Sequence, residues 1–205
     1  MLDERDVEPG EAFVEEGVSG TGADDDQIMV GHVARLTASA GRRRSGTPLE
    51  MTVPTPAAAA APTLHRAWAA DLDPATLYAL LALRTAIFVV EQECPYQELD
   101  GRDLEPRTRH HWLAEGATVV ATLRLLAEPG GVMRIGRVCT RAEARGRGLG
   151  HRLMDSALAE VGDRPCVLDA QEVQQAFYAR HGFVPAGERF VEDGIPHVPM
   201  ERRRS

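Results

Sequence analysis

Residues 141 to 161 read RAEARGRGLGHRLMDSALAEV, and the run Arg145-Gly146-Arg147-Gly148-Leu149-Gly150 within them decides the fold. Glycines remove side chains, so that backbone N–H groups can come close to a ligand. Arginines at the same place point to an anion. Behind the loop, Leu149, Leu153, Ala157 and Met154, Leu158, Val161 form one apolar stripe at helical spacing. The N-terminus of that helix adds unpaired N–H groups and partial positive charge. The stretch therefore reads as a phosphate cradle opening a helix.

Two familiar cradles are excluded. A P-loop needs a lysine, and all 23 basic residues here are arginine. The dinucleotide fingerprint GxGxxG follows the first strand of a βαβ unit. Here the spacing is Gly146-x-Gly148-x-Gly150, after a run of antiparallel strands. A tight strand-to-helix turn without a ligand is the plain alternative, although a turn alone does not need two arginines.

Working outward, LHRAWAADL (64–72) reads as a first strand. Asp73-Pro74 opens a helix, with Asp73 as N-cap, and Leu77, Leu80, Leu81, Arg84, Ile87, Phe88 and Glu91 recur at helical spacing. CPYQELDGRDLEP (94–106) reads as loop. RHHWLAE (109–115), ATVVATLRLLAE (117–128) and GVMRIGRVCT (131–140) read as three strands joined by glycine turns. PCVLDA (165–170) is a short, buried type of strand. QEVQQAFYARHGF (171–183) reads as a helix stopped by Gly182, with Phe177, Val173 and Phe183 toward the core and Tyr178 with Gln174 on another face. The tail folds as a hairpin about Asp193-Gly194. The expected class is α/β with a mixed sheet, without regular βαβ alternation.

Composition agrees with one globular domain. The 205 residues are 43% hydrophobic and 26% charged. No apolar run reads as a membrane span, and the net charge of −8 argues against nucleic acid or an anionic membrane as partner. Cys94, Cys139 and Cys166 are odd in number and lack metal-ligand spacing, so no metal is expected and a reducing, cytoplasmic setting is. Residues 1–50 hold eleven Asp/Glu against five Arg, a net −6, and carry no apolar period. With the Pro/Ala linker that follows, 1–62 is expected to be a disordered acidic extension, and 63–205 the domain. Residues 1–50 are a plain disordered extension, sequence upstream of a true start near Met51, or a regulatory tail.

The loop matches the Arg/Gln-x-x-Gly-x-Gly/Ala signature of the GNAT N-acetyltransferases. AFYARHGF (176–183) resembles their second acetyl-CoA segment. LRTAIFVVEQECPYQELDGRD, RIGRV, LDAQ and EDGIPHVPM are similar to the ElaA-like group of that superfamily. The resemblance covers about Leu64 to Arg202. It implies acetyl-CoA as donor, with the pantetheine arm along Arg137, Val138, Cys139 and Thr140. The pyrophosphate would then meet Arg145, Gly146, Arg147, Gly148, Leu149 and Gly150, and Gln174 would lie near the arm.

Acetyl transfer to an amine needs a proton taken from the ammonium, a polarised thioester oxygen and a proton for the departing thiolate. Tyr178 is the candidate acid. GNAT enzymes often place a basic glutamate on the fourth strand, but VMRIGRVCT has no carboxylate. His110 and Glu91 stand first as bases. His111, Glu192, Asp193, His197 and a water relay stay open. His110 and His111 must face opposite sides of the sheet. Glu91, Glu93, Glu98, Asp100 and Asp103 form either a solvated face or a field that draws a cationic amine. The functions left open are N-acetyltransferase, a non-catalytic acetyl-CoA-binding regulator, and transferase of another acyl group.

Overall fold

A computed structural model describes residues 61 to 203. The acidic segment 1–50, the linker as far as residue 60 and Met51 lie outside those residues. The strands are β1 (Thr63–Trp68), β2 (Arg109–Glu115), β3 (Thr118–Ala127), β4 (Met133–Thr140), β5 (Cys166–Gln171), β6 (Val184–Pro185), β7 (Phe190–Glu192) and β8 (Ile195–Arg202). They form one sheet in the order β1-β2-β3-β4-β5-β8-β6, with β7 paired to β8. Every pairing is antiparallel except β4 with β5. The helices are α1 (Pro74–Thr85), α2 (Leu149–Val161) and α3 (Gln175–Ala179). The expected mixed sheet is the one observed.

Adjacent residues on β2 show which layer covers which face. The Nδ1 atom of His111 lies 2.9 Å from the Ser156 hydroxyl on α2, whereas the His110 Nε2 lies 3.0 Å from the Asp103 carbonyl. Strand side chains alternate between faces, so α2 covers one side and the 94–105 loop, with α1, the other. Leu80, Leu83, Ile87 and Phe88 fill one apolar layer, and Leu149, Leu153, Met154, Ala157 and Val161 the other. Each of these side chains larger than alanine contributes about 1.5–3 kcal/mol when removed from water.

α1 begins as its sequence dictates. The Asp73 carboxylate accepts from the N–H groups of Ala75 and Thr76 at 3.0 and 2.9 Å, satisfying two orphan donors. The helix then widens into a π-helix over Ala86–Glu91, a local form that often marks functional sites. By length and composition Pro74–Glu91 would also suit a membrane span, contrary to the expectation that no segment does. Leu80, Leu83, Ile87 and Phe88 instead pack into the core, with Arg84 buried among them, while Tyr78 and Val90 face outward.

The segment after β5 departs from expectation. It is a 3-10 turn over Glu172–Gln174, followed by the short α3. The 3-10 turn advances each residue by about 120° instead of 100°, which shifts the phase of the faces. Val173, expected in the core, is 72% exposed, and Phe177 and Tyr178 are both buried. Gly182 ends the segment at φ +82, as its residue type requires. Asp193 (φ +50) and Gly194 (φ +81) form the expected two-residue hairpin turn between β7 and β8.

Candidate active site

The site begins where the sheet fails to close. β4 and β5 pair in parallel only at Met133–Cys166 and Arg134–Val167. Beyond them the two strands share no ladder, although β4 runs on to Thr140 and β5 to Gln171. The cause lies in β4. Between Thr122 and Arg124 of β3, two steps are matched by three on β4, from Cys139 to Gly136. That extra residue is a bulge, and Arg137 sits in it at φ +55. A left-handed non-glycine residue costs on the order of 1–3 kcal/mol and persists only where its surroundings hold it. By sequence alone 131–140 reads as a plain strand; Gly136 is the residue that could have signalled the bulge, because glycine inside a strand often marks one.

A buried ion network holds Arg137 in place. Its Nε lies 2.6 Å from Glu98, which also meets Arg84 Nε at 2.5 Å and accepts from the Tyr96 hydroxyl at 2.6 Å. Arg84 also pairs with Asp103, and Arg124 pairs with Asp100 at 2.6 Å and Asp103 at 3.1 Å. Burial acts to raise the Asp103 pKa, but hydrogen bonding and charge from Arg84 and Arg124 outweigh it and hold it below the usual range. Asp100 is likewise depressed, with its Arg124 hydrogen bonds outweighing burial. Glu98, Asp100 and Asp103 are thus neutralised by three arginines, and Glu91 by Arg145. Four of the five carboxylates of the acidic cluster are paired with arginines, and the fifth, Glu93, is solvent-exposed.

The network walls one side of a cleft of about 1100 Å³ that runs along the β4–β5 opening. Phe88, Tyr96, Arg137 and Val138 line it on one side, Leu168, Gln171, Gln174 and Tyr178 on the other. Gln92 and Gln171 exchange amide hydrogen bonds at 3.3 and 3.5 Å, joining the end of α1 to the end of β5. Cys139 and Thr140, expected along the arm, are buried next to Val138 on β4 and do not line the cleft.

The glycine loop presents donors. Gly146 and Gly148 have φ of +71 and +68, and a Cβ on either would meet nothing within 4 Å. Gly148 is the N-cap of α2, and no side chain caps that helix. The Leu149 and Gly150 amides that open α2 therefore have no intrahelical partner and no side-chain cap. Thr140 Oγ1, buried at the end of β4, also lacks a hydrogen-bond partner. The Leu149 and Gly150 amides, beside a sheet gap whose facing backbone is unladdered, are donors that could hold an extended, anionic ligand.

The two loop arginines differ in role. Arg145 holds both carboxylate oxygens of Glu91, at 2.7 and 2.8 Å, and donates to the Thr140 carbonyl at 3.2 Å. It ties the loop to α1 and β4. Arg147 pairs with Glu115 at 2.6 Å with both side chains about one-third exposed. Such a surface pair is worth about 0–1 kcal/mol, so a phosphate can compete for this arginine.

Tyr178 is 9% exposed and its ring stands edge-on to Phe177. Burial, with the neighbouring Cys139, pushes its pKa above the ordinary phenol value, so the hydroxyl carries its proton at neutral pH. Burial likewise pushes the Cys139 thiol up to about 12, which removes it as a nucleophile.

The residues ranked first as bases lie elsewhere. His110 is 1% exposed, bonded to the Asp103 carbonyl, and outside the cleft lining. Burial lowers its pKa. Burial and Arg109 lower that of His111 to about 4, on the α2 side of the sheet. Glu91 is engaged by Arg145 and also lies off the cleft wall. Of the open candidates, Glu192, Asp193 and His197 do line the cleft. Among the described residues no cluster of three or more His, Cys, Asp or Glu could hold a metal.

Comparison with known proteins agrees with this geometry. The acetyltransferase (GNAT) domain matches residues 76–204. A UPF0039 protein of Mycobacterium tuberculosis is 58% identical over 143 residues, spanning 68% of this chain and 92% of that one. Protein ElaA of Escherichia coli is 42% identical over 138 residues, spanning 64% and 90%. Among solved structures, an acyl-CoA N-acyltransferase from Pseudomonas aeruginosa shares 47% identity at a TM-score of 0.66 and covers 69% of this chain and 99% of its own. The chain belongs to the GNAT acetyltransferase family.

Proposed function

We propose that the protein transfers the acetyl group of acetyl-CoA to a primary amine of a small molecule or peptide, by direct attack within a ternary complex. The observation that carries this reading is the parted β4–β5 pair with the protonated Tyr178 beside it. The donor supplies the thioester. Unladdered backbone of β4 and β5 aligns its arm, and the uncapped N-terminus of α2 receives its pyrophosphate. With the amine and thioester held in one cleft, attack is effectively unimolecular. Tyr178 gives a proton to sulfur as the C–S bond breaks. No thiol in the cleft is poised for a covalent intermediate, because all three cysteines are buried and their pKa values are raised.

In this reading Glu91 and His110 hold the frame, Glu91 through Arg145 and His110 through the loop that carries Asp103. The test is release of free coenzyme A from acetyl-CoA with a panel of polyamines, amino acids, aminoglycoside-like amines and peptides. Donors of longer acyl chain are run in parallel. Amine-dependent release is expected. Tight acetyl-CoA binding with no release for any amine favours an acetyl-CoA-binding regulator, and preference for a longer donor revises the acyl group.

A further inference from the structure

His197 lies opposite Gln171 in the β5–β8 register. Directly paired residues of antiparallel strands project to the same face. The Gln171 side chain reaches Gln92 across the cleft, so His197 shares that face and lines the same cleft as Tyr178. Its ring is fixed in two ways. It stacks on Phe190 of β7 at 5.6 Å and 23°, and its Nδ1 lies 2.8 Å from the Ile195 carbonyl. A carbonyl can only accept, so Nδ1 carries the hydrogen and Nε2 of the neutral ring keeps its lone pair.

The charges around this end of the cleft differ from those elsewhere along it. Asp100 is held by Arg124, while Glu128 and Asp169 are held by Arg134 at 3.1 and 2.6 Å. Glu172, next after β5, pairs with Arg189. Glu192 and Asp193, on the hairpin that carries His197, have no ion pair among the described residues. The uncompensated negative charge of the cleft thus lies beside His197, the one histidine among the described residues that lines it.

We propose that His197 is the general base that takes the proton from the acceptor ammonium, with Glu192 and Asp193 drawing the cationic amine to it. This rests on the acetyltransferase reading above. The ammonium gives one proton to Nε2. The amine lone pair forms the C–N bond to the thioester carbon, and the C–S bond breaks with its electron pair on sulfur. Sulfur takes the Tyr178 proton, and the second proton lost by nitrogen returns to the tyrosinate through water. His197 then releases its proton to solvent from the open end of the cleft.

The test uses His197→Asn, whose amide can keep a hydrogen bond to the Ile195 carbonyl, and His197→Gln as a second variant. Both should retain the wild-type melting temperature and acetyl-CoA affinity. With an accepted amine, kcat/KM at neutral pH should fall by roughly 10²-fold or more, the range of general base catalysis. The acid-side ionisation in the wild-type pH profile should vanish, and added imidazole should restore part of the rate to the folded variants. Wild-type turnover with unchanged kcat/KM in both variants would overturn the role of His197 alone. A lowered rate with the ionisation retained and no imidazole rescue would also overturn it, leaving a structural histidine. Absence of wild-type turnover with every amine would overturn the transferase reading and this role together.

Discussion

Replacing Arg84 by methionine tests whether the buried network holds the cleft together. Methionine keeps most of the stem volume and removes only the guanidinium. Arg84 is 1% exposed, and its partners Glu98 and Asp103 are 3% and 4% exposed. The substitution therefore leaves two carboxylates in a site with little access to water. Breaking one side of a buried ion pair costs about 3–5 kcal/mol. Arg137 stays at 2.6 Å from Glu98 and Arg124 at 3.1 Å from Asp103, which places the expected loss near the lower end of that range. For a domain of this size each kcal/mol lowers the melting temperature by roughly 2–4 °C, so Arg84→Met should lose about 10 °C. The pH dependence gives a second, sharper sign. The Asp103 pKa is depressed in the folded protein, so its contribution is present above the unfolded aspartate value of about 3.9 and lost as pH falls through the folded value. Arg84→Met has less of that contribution to lose. The stability gap between the proteins should be widest at neutral pH and should narrow in acid. Thermal unfolding followed by circular dichroism, from pH 7 down to about pH 2, measures both effects. A shift under 3 °C at pH 7, or a gap that widens in acid, would refute the network as the support of this wall.

Gly148→Ala puts a Cβ on a residue at φ +68 with open space around it, so the change is in backbone preference and ligand approach, not in packing. Without ligand the substituted loop can relax out of the left-handed region, and binding must restore it at roughly 1–2 kcal/mol. Calorimetry should therefore show coenzyme A affinity lowered about tenfold, and unchanged affinity would remove the loop from the pyrophosphate site. Tyr178→Phe should keep acetyl-CoA affinity while kcat falls by roughly 10²-fold, the mark of a group acting mainly in the transition state. Full turnover by that variant would pass proton delivery to water. A chain starting at Met51 should keep the full melting temperature and acetyl-CoA affinity, since a solved relative matching 69% of this chain is covered over 99% of its own length. A large drop in melting temperature would make the extension part of the fold.

Much of this protein was legible in the order of its residues, wherever the cause is local. The Asp73 cap, the stripe of α2, the left-handed Gly182 and the Asp193-Gly194 turn each follow from a few neighbouring residues, and each stands as read. Glycines in RGRGLG had to mean a bare, donor-rich backbone because no other residue type leaves one. Contacts between distant segments followed different rules. Glu91 pairs with Arg145 across 54 positions, so its carboxylate supports the loop and leaves the cleft without it. His110 and His197 look alike in sequence, each a histidine on a strand. Only the pairing of strands encloses the first beneath Asp103 and turns the second into the cleft. The acidic run 91–103 carries no sign of its partners, because Arg84, Arg124 and Arg137 come from one helix and two strands. Local sequence determined the elements and the cradle. The tertiary structure decided which charges neutralise each other and which remain for chemistry, because Coulomb and desolvation energies depend on distance and burial and not on separation along the chain.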